Sequence, residues 1–186
     1  MKKISLLAAC AAPLLGSCVV AIGNDHHAGD GMYGLEIEKA VCVIRGTDGN
    51  ENVAGTVTFT EHEDGVFIEA RITGLAPGAH GFHIHEFGDL STTDGKSAGG
   101  HFNPEGHDHS GPSSEQRHEG DLGNIVADAN GVAVYSRYDD ELNLLGEHSI
   151  LGRGVIIHAG EDDQRSQPTG NAGARVGYGV IGIAKH

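Results

Sequence analysis

GFHIHEFGDLSTTDGKSAGGHFNPEGHDHSGPSSEQRHEGD, residues 81–121, packs six histidines into 41 positions. Its first half alternates: Phe82, His83, Ile84, His85. On a strand, residues two apart share a face and lie about 6.5 Å apart, so His83 and His85 point one way while Phe82 and Ile84 point to the core. Behind them His101, His109, His118 and Asp121 lie in a Gly/Pro/Ser-rich loop. Imidazole suits copper and zinc, and three imidazoles with one carboxylate form a closed tetrahedral zinc set. The bland alternative is a solvated, His-rich loop beside an ordinary strand.

Working outward from this stretch, the chain reads as short strands. Residues 36–45, 53–61, 66–73 and 80–87 precede the loop, and 119–127, 132–138, 154–158 and 176–184 follow it. Each is rich in β-branched or aromatic residues and bounded by turn residues. Thr47-Asp48-Gly49-Asn50 and Glu63-Asp64-Gly65 are turn signals, because Gly and Asn tolerate positive φ. Eight short strands without an amphipathic helix predict an all-β antiparallel sandwich or barrel. With 30 glycines and no tryptophan, the chain invests in turns and long loops. No internal repeat is evident, and residues 35–186 suit one domain.

The opening segment is of another kind. Met1-Lys2-Lys3 precedes an apolar run over residues 4–16, too short to cross a roughly 30 Å hydrocarbon core as a helix. It reads as the core of a signal peptide. Leu15-Gly16-Ser17-Cys18 resembles a bacterial lipoprotein cleavage box, giving a signal peptide over 1–17, a lipid on Cys18 and a flexible tether over 18–34. A plain secretory signal is the alternative, and either sends the protein out of the cytoplasm, to the periplasm or cell surface. His26 and His27 in the tether read as solvated, with weak copper capture the other option. Formal charge is −14, and −16 once Lys2 and Lys3 leave with residues 1–17. That excludes nucleic acid and anionic membrane surfaces as electrostatic partners, and any attraction for an anion has to be focused locally.

GFHIHEFGD, SAGGHFNP, RHEGDLGN, GRGVIIHAGEDD and GNAGARVGYGVIGIA, in that order from about Ala40 to Lys185, resemble the copper/zinc superoxide dismutase family. The resemblance implies an eight-stranded Greek-key β-barrel with long metal-binding and active-site loops, and copper and zinc as cofactors. It implies copper on His83, His85, His101 and His158, and zinc on His101, His109, His118 and Asp121, with His101 shared. His107 is a rival to His109, which matches the family spacing better. Asp162 is implied to join His83 to His109, and Arg175 to receive superoxide above the copper. In the implied cycle copper is alternately reduced and reoxidised, yielding dioxygen and hydrogen peroxide. His101 leaves copper on reduction, takes a proton and later delivers it. His80 resembles a structural histidine; His62, His148 and His186 read as surface residues.

The sequence also departs from the family. The usual intrasubunit disulfide is missing: the matching positions are Gly95 or Lys96 and Tyr178. With Cys10 in the signal and Cys18 lipidated, Cys42 alone remains, on a strand and facing the core, so no intramolecular disulfide is expected. Tyr178 and the two metals are then the candidates for bracing the ligand loop against the last strand. Residues 164–169 form a short segment in which Pro168 stands where a steering lysine is expected, and whether Arg165 replaces it is left open by the sequence. Val41, Val43, Gly88, Leu151, Gly152, Val180 and Ile183 match an apolar dimer contact, implying a possible homodimer. A copper/zinc buffer of the same fold with little turnover is the competing function. An adhesion module would not need the histidines.

Overall fold

The computed structural model describes residues 36–185. Period-two alternation builds its first strands. In β1 (Lys39–Gly46) Ala40, Cys42 and Ile44 are buried while Lys39, Val43 and Arg45 face out. β2 (Ala54–His62) buries Val57 and Phe59, and β3 (Gly65–Thr73) buries Val66, Ile68, Ala70 and Ile72. The three pair as an antiparallel meander, with Val57 opposite Cys42 and Ala70. β4 (Gly78–His85), β5 (Asp121–Ala127), β6 (Ala133–Asp139), β7 (Gly154–His158) and β8 (Arg175–Ile183) complete a closed barrel. Its order is β1-β2-β3-β6-β5-β4-β7-β8, with β8 paired back to β1. β6 lies beside β3 and β7 beside β4, the crossovers of a Greek key, and closure leaves no free sheet edge.

The inner faces of all eight strands meet in one apolar core, with Phe59, Phe82, Ile68, Ile72, Ile84 and Ile125 among its fully buried members. Phe82 stacks edge-on against Tyr135, whose hydroxyl donates to the Leu122 carbonyl. Cys42 is a free thiol inside this core. Burial pushes its pKa up to about 12, against a smaller lowering by a backbone hydrogen bond at Val155. A buried thiol of this kind behaves as a small apolar residue.

Strand ends differ from the sequence reading where loops take over the backbone. The fourth strand stops at His85 because the amides of Glu86 and Phe87 donate to the Gly100 and Ala98 carbonyls of the following loop. The fifth begins at Asp121 because His118–Asp121 closes a turn, the Asp121 amide donating to the His118 carbonyl. Two long connections, residues 86–120 and 159–174, cover the outside of β4 and β7. Residues 80–85 are therefore all buried, Phe82 and Ile84 against the core and His83 and His85 beneath these loops. The signal, Cys18 and tether assignments lie outside the described residues.

Candidate metal centre

Four imidazoles reach one point from three places. His83 and His85 project from β4, His101 comes from the loop, where it forms an isolated bridge with His85, and His158 ends β7. All four are at most 5% exposed. Each uses one ring nitrogen in a hydrogen bond: His83 Nε2 to Asp162 Oδ2 (2.8 Å), His85 Nδ1 to the Gly99 carbonyl (3.0 Å), His101 Nδ1 to Asp121 Oδ1 (2.7 Å) and His158 Nδ1 to the Gly173 carbonyl (3.1 Å). The other nitrogens, His83 Nδ1 and Nε2 of His85, His101 and His158, are buried without a protein partner. These donor atoms lie within 4.8 Å of one another. A buried polar atom without a partner costs roughly 1–3 kcal/mol, and four converging lone pairs offset that cost when they share a metal ion. The donor set therefore fits Cu(II), which accepts four nitrogen ligands.

A second group adjoins the first through His101. His101, His109, His118 and Asp121 also place their donor atoms within 4.8 Å of one another. Asp121 Oδ1 lies 2.7, 3.0 and 3.3 Å from Nδ1 of His101, His109 and His118. A tetrahedron with zinc–ligand bonds of roughly 2.0–2.1 Å has edges of about 3.3 Å. Asp121 Oδ2 is meanwhile occupied by the amides of Ser110 and His118, which fix the carboxylate's orientation. The Nδ1 atoms of His109 and His118 are buried with no hydrogen-bond partner, which leaves both free to take a metal ion. His107 stays out of the group: its Nδ1 faces the Arg117 carbonyl at 3.3 Å, and Asn103 clasps its backbone.

Asp162 links the two groups. Its Oδ2 accepts from His83 Nε2 and its Oδ1 from His109 Nε2 at 2.9 Å, both rings being buried. Carboxylates that hold the second nitrogen of a ligand imidazole fix its tautomer and ring orientation. Asn124 clasps the Asp162 backbone through two bonds, 2.8 and 2.9 Å.

Electrostatics follows the same division. Burial drives the His83 pKa down to about 3 and that of His158 to about 4, and takes His85 well below its ordinary value. The Arg175 guanidinium lowers both His85 and His158 further. The rings of the first group are thus neutral and ready to donate lone pairs. His109 behaves oppositely: burial lowers it, but Asp121 and Asp162 outweigh burial and lift it to about 9. Burial alone would raise Asp121, yet its three histidines hold the carboxylate far below the usual range.

Arg175 opens β8 beside the first group, donating from Nη1 to the Gly95 carbonyl and from Nη2 to the Gly99 carbonyl, each at 2.6 Å. This fork joins the ligand loop to the last strand, the joint for which the sequence offered Tyr178. Tyr178 is half-buried within β8, opposite Arg45 and Ile156.

The copper/zinc superoxide dismutase family model matches residues 53–181. The chain belongs to the copper/zinc superoxide dismutase family. A relative from Mesembryanthemum crystallinum, superoxide dismutase [Cu-Zn] 2, is 52% identical over 157 residues, covering 80% of this chain and 97% of the relative. Among solved structures, the clock protein EA4 aligns with a TM-score of 0.74 and 42% identity, over 82% of this chain and 99% of its own. The family makes this protein an oxidoreductase acting on superoxide, with copper and zinc as its cofactors.

In a dismutase centre built this way, several contributors escape sequence reading. Gln167 clasps His109, its Oε1 accepting from the His109 amide and its Nε2 donating to the His109 carbonyl, both 2.8 Å. Arg117, 2% exposed, donates to the carbonyls of His118 and Glu119 and to Asp139 Oδ1 at 2.7 Å, so it holds the turn that carries His118. The only signal was position, since Arg117 precedes His118. His80, which the sequence does mark as a structural histidine, ties three segments together, one ring nitrogen 2.7 Å from the His158 carbonyl and the other 2.8 Å from that of Ala76. Arg165 is exposed.

Proposed function

We propose that this protein dismutes superoxide at a centre in which His83, His85, His101 and His158 hold copper, and His101, His109, His118 and Asp121 hold zinc. Bound copper would supply one-electron chemistry, oxidising one superoxide to dioxygen and reducing a second, with two protons, to hydrogen peroxide. The observation that carries the reading is the set of four buried, unpaired ring nitrogens converging beside a guanidinium. Arg175 attracts the anion and orients it, an effect that grows in a site partly closed to water. Both terminal nitrogens of the guanidinium, Nη1 and Nη2, are already anchored on carbonyls, so little reorganisation accompanies anion binding. His101, shared between the two ligand sets, can hold a proton at Nε2 in one half of the cycle and release it in the other.

The test is superoxide consumption per bound copper by the metal-replete protein, beside Arg175→Ala and Arg175→Lys. Turnover should fall about tenfold or more in Arg175→Ala at unchanged copper content, with partial recovery in Arg175→Lys. A protein that binds both metals tightly without consuming superoxide would instead be a metal buffer.

The reading extends to the protein's setting. Leu15-Gly16-Ser17-Cys18 supports an exported lipoprotein anchored through Cys18, and stable anchoring takes two or more acyl chains. Cys18→Ser should move the protein from membranes to the soluble extracytoplasmic fraction; unmodified wild type already found there would leave only a secretory signal. Homodimerisation is supported by exposed Val43, Val180 and Ile183 on β1 and β8. Gly88 lies close enough to Gly152 and Val180 for an added Cβ to strike both. A single-chain mass in sedimentation equilibrium at micromolar concentration would count against the dimer.

A further inference from the structure

Among the described residues, one cluster outside the two ligand groups has metal-binding geometry. Glu105 follows Pro104 in the ligand loop, Glu119 follows His118 in the turn before β5, and His148 lies in the β6–β7 connection. One carboxylate oxygen from each glutamate and one ring nitrogen of His148 lie within 4.8 Å of one another. His148 Nδ1 is 2.8 Å from Glu119 Oε1, and Nε2 is 3.7 Å from Glu105 Oε1. An exposed acidic pair near a histidine would mean little. Glu119, however, has a side chain only 6% exposed, and its Oε2 is buried with no hydrogen-bond partner. A buried carboxylate oxygen left bare is costly, because that atom has lost water with no hydrogen bond in return.

The neighbouring cations do not supply the missing partner. Arg117 is spent on Asp139, Glu141 and two carbonyls. Arg153 lies over the Phe102 ring at 3.5 Å and donates to the Ser149 and Glu86 carbonyls. Glu105 and Glu119 line a cleft of about 280 Å³ together with His107, Glu115, Arg117 and Glu141, so four carboxylates share it with one guanidinium. Three protein ligands with room for water is a set that zinc accepts, and the imidazole favours a transition metal over calcium or magnesium.

We propose that Glu105, Glu119 and His148 form an auxiliary site for a divalent transition-metal ion of the zinc type, separate from the copper/zinc centre. An ion there cross-links the ligand loop to the β6–β7 connection beside the turn that carries His118. The inference stands on these three side chains and is independent of the dismutase reading.

The test uses the full chain with copper and zinc already bound, carrying His26→Ala and His27→Ala so that the N-terminal imidazoles do not compete. Zinc is titrated by calorimetry, and bound metal is counted after dialysis. One further zinc per chain is expected, together with a rise in Tm, and an equal concentration of calcium should not displace it. Glu105→Gln with His148→Asn changes only partly exposed side chains, so the fold is retained; affinity for the further zinc should drop at least tenfold and the Tm rise should vanish. Absence of a further equivalent would overturn the proposal. So would an equivalent bound with unchanged affinity by the double variant, since the cluster would then be an ion pair only.

Discussion

At the residue scale, the joint between the two ligand groups is a carboxylate confined by a glycine. Gly170 has φ +66°, and a Cβ there would collide with Asp162 Oδ1 and stand 2.7 Å from His109 Nε2. Gly170→Ala therefore forces the Asp162–His109 bond apart and strains the backbone, the latter costing about 1–2 kcal/mol. Zinc affinity should fall roughly 10–100-fold, the usual consequence of losing the partner that orients a ligand histidine. Competition with a chromogenic chelator measures it, and an unchanged affinity would show that His109 needs no support from Asp162. Sequence reading reached Asp162 through its motif but had no means of reaching Gly170. Thirty glycines look alike in a string, and which one faces a carboxylate depends on how two loops fold against each other. Gln167 was hidden for the same reason: its bonds to His109 span 58 positions and leave no spacing signature.

At the element scale, the strands were legible because each carries its own period, and the loops were not. β7 matches the expected residues 154–158 end to end. The other strands were legible to within three residues, and the end of β4 and the start of β5 shift where loop carbonyls capture backbone amides. The ligand loop has no period to read, so its joint to β8 emerged only in three dimensions, as the Arg175 fork. That fork predicts a stability role beside the proposed anion role. A planar guanidinium serves both carbonyls at once, whereas a lysine ammonium cannot reproduce the fork. Half-buried hydrogen bonds from a charged donor are worth about 1.5–3 kcal/mol each before discounting for solvent. Arg175→Lys should therefore keep charge at the site yet speed amide hydrogen exchange across residues 95–99 about tenfold or more. If Arg175→Ala and wild type exchange alike there, the loop is held by something other than Arg175.

For the whole molecule, the conflict is between a strongly acidic chain and an anionic substrate. Net charge is −14, or −16 without Lys2 and Lys3, a background that repels superoxide at long range. The attraction is short-ranged: Arg175 sits close enough to His85 and His158 to lower both their pKa values. Low-dielectric walls focus such a charge, while the diffuse background is spread over the whole surface. Salt screens both, with a Debye length of about 8 Å at 0.15 M and about 30 Å at 0.01 M. If the focused cation governs encounter, raising ionic strength from 0.01 to 0.15 M should lower the wild-type rate per bound copper, by about twofold for a single effective charge. In Arg175→Glu the local field changes sign and adds to the background, so its residual rate should rise with salt instead. Stopped-flow superoxide decay across an ionic-strength series, normalised to copper content, reads both slopes. A wild-type rate that climbs with salt would mean that the acidic surface dominates the approach, and that Arg175 acts only after superoxide has reached the site.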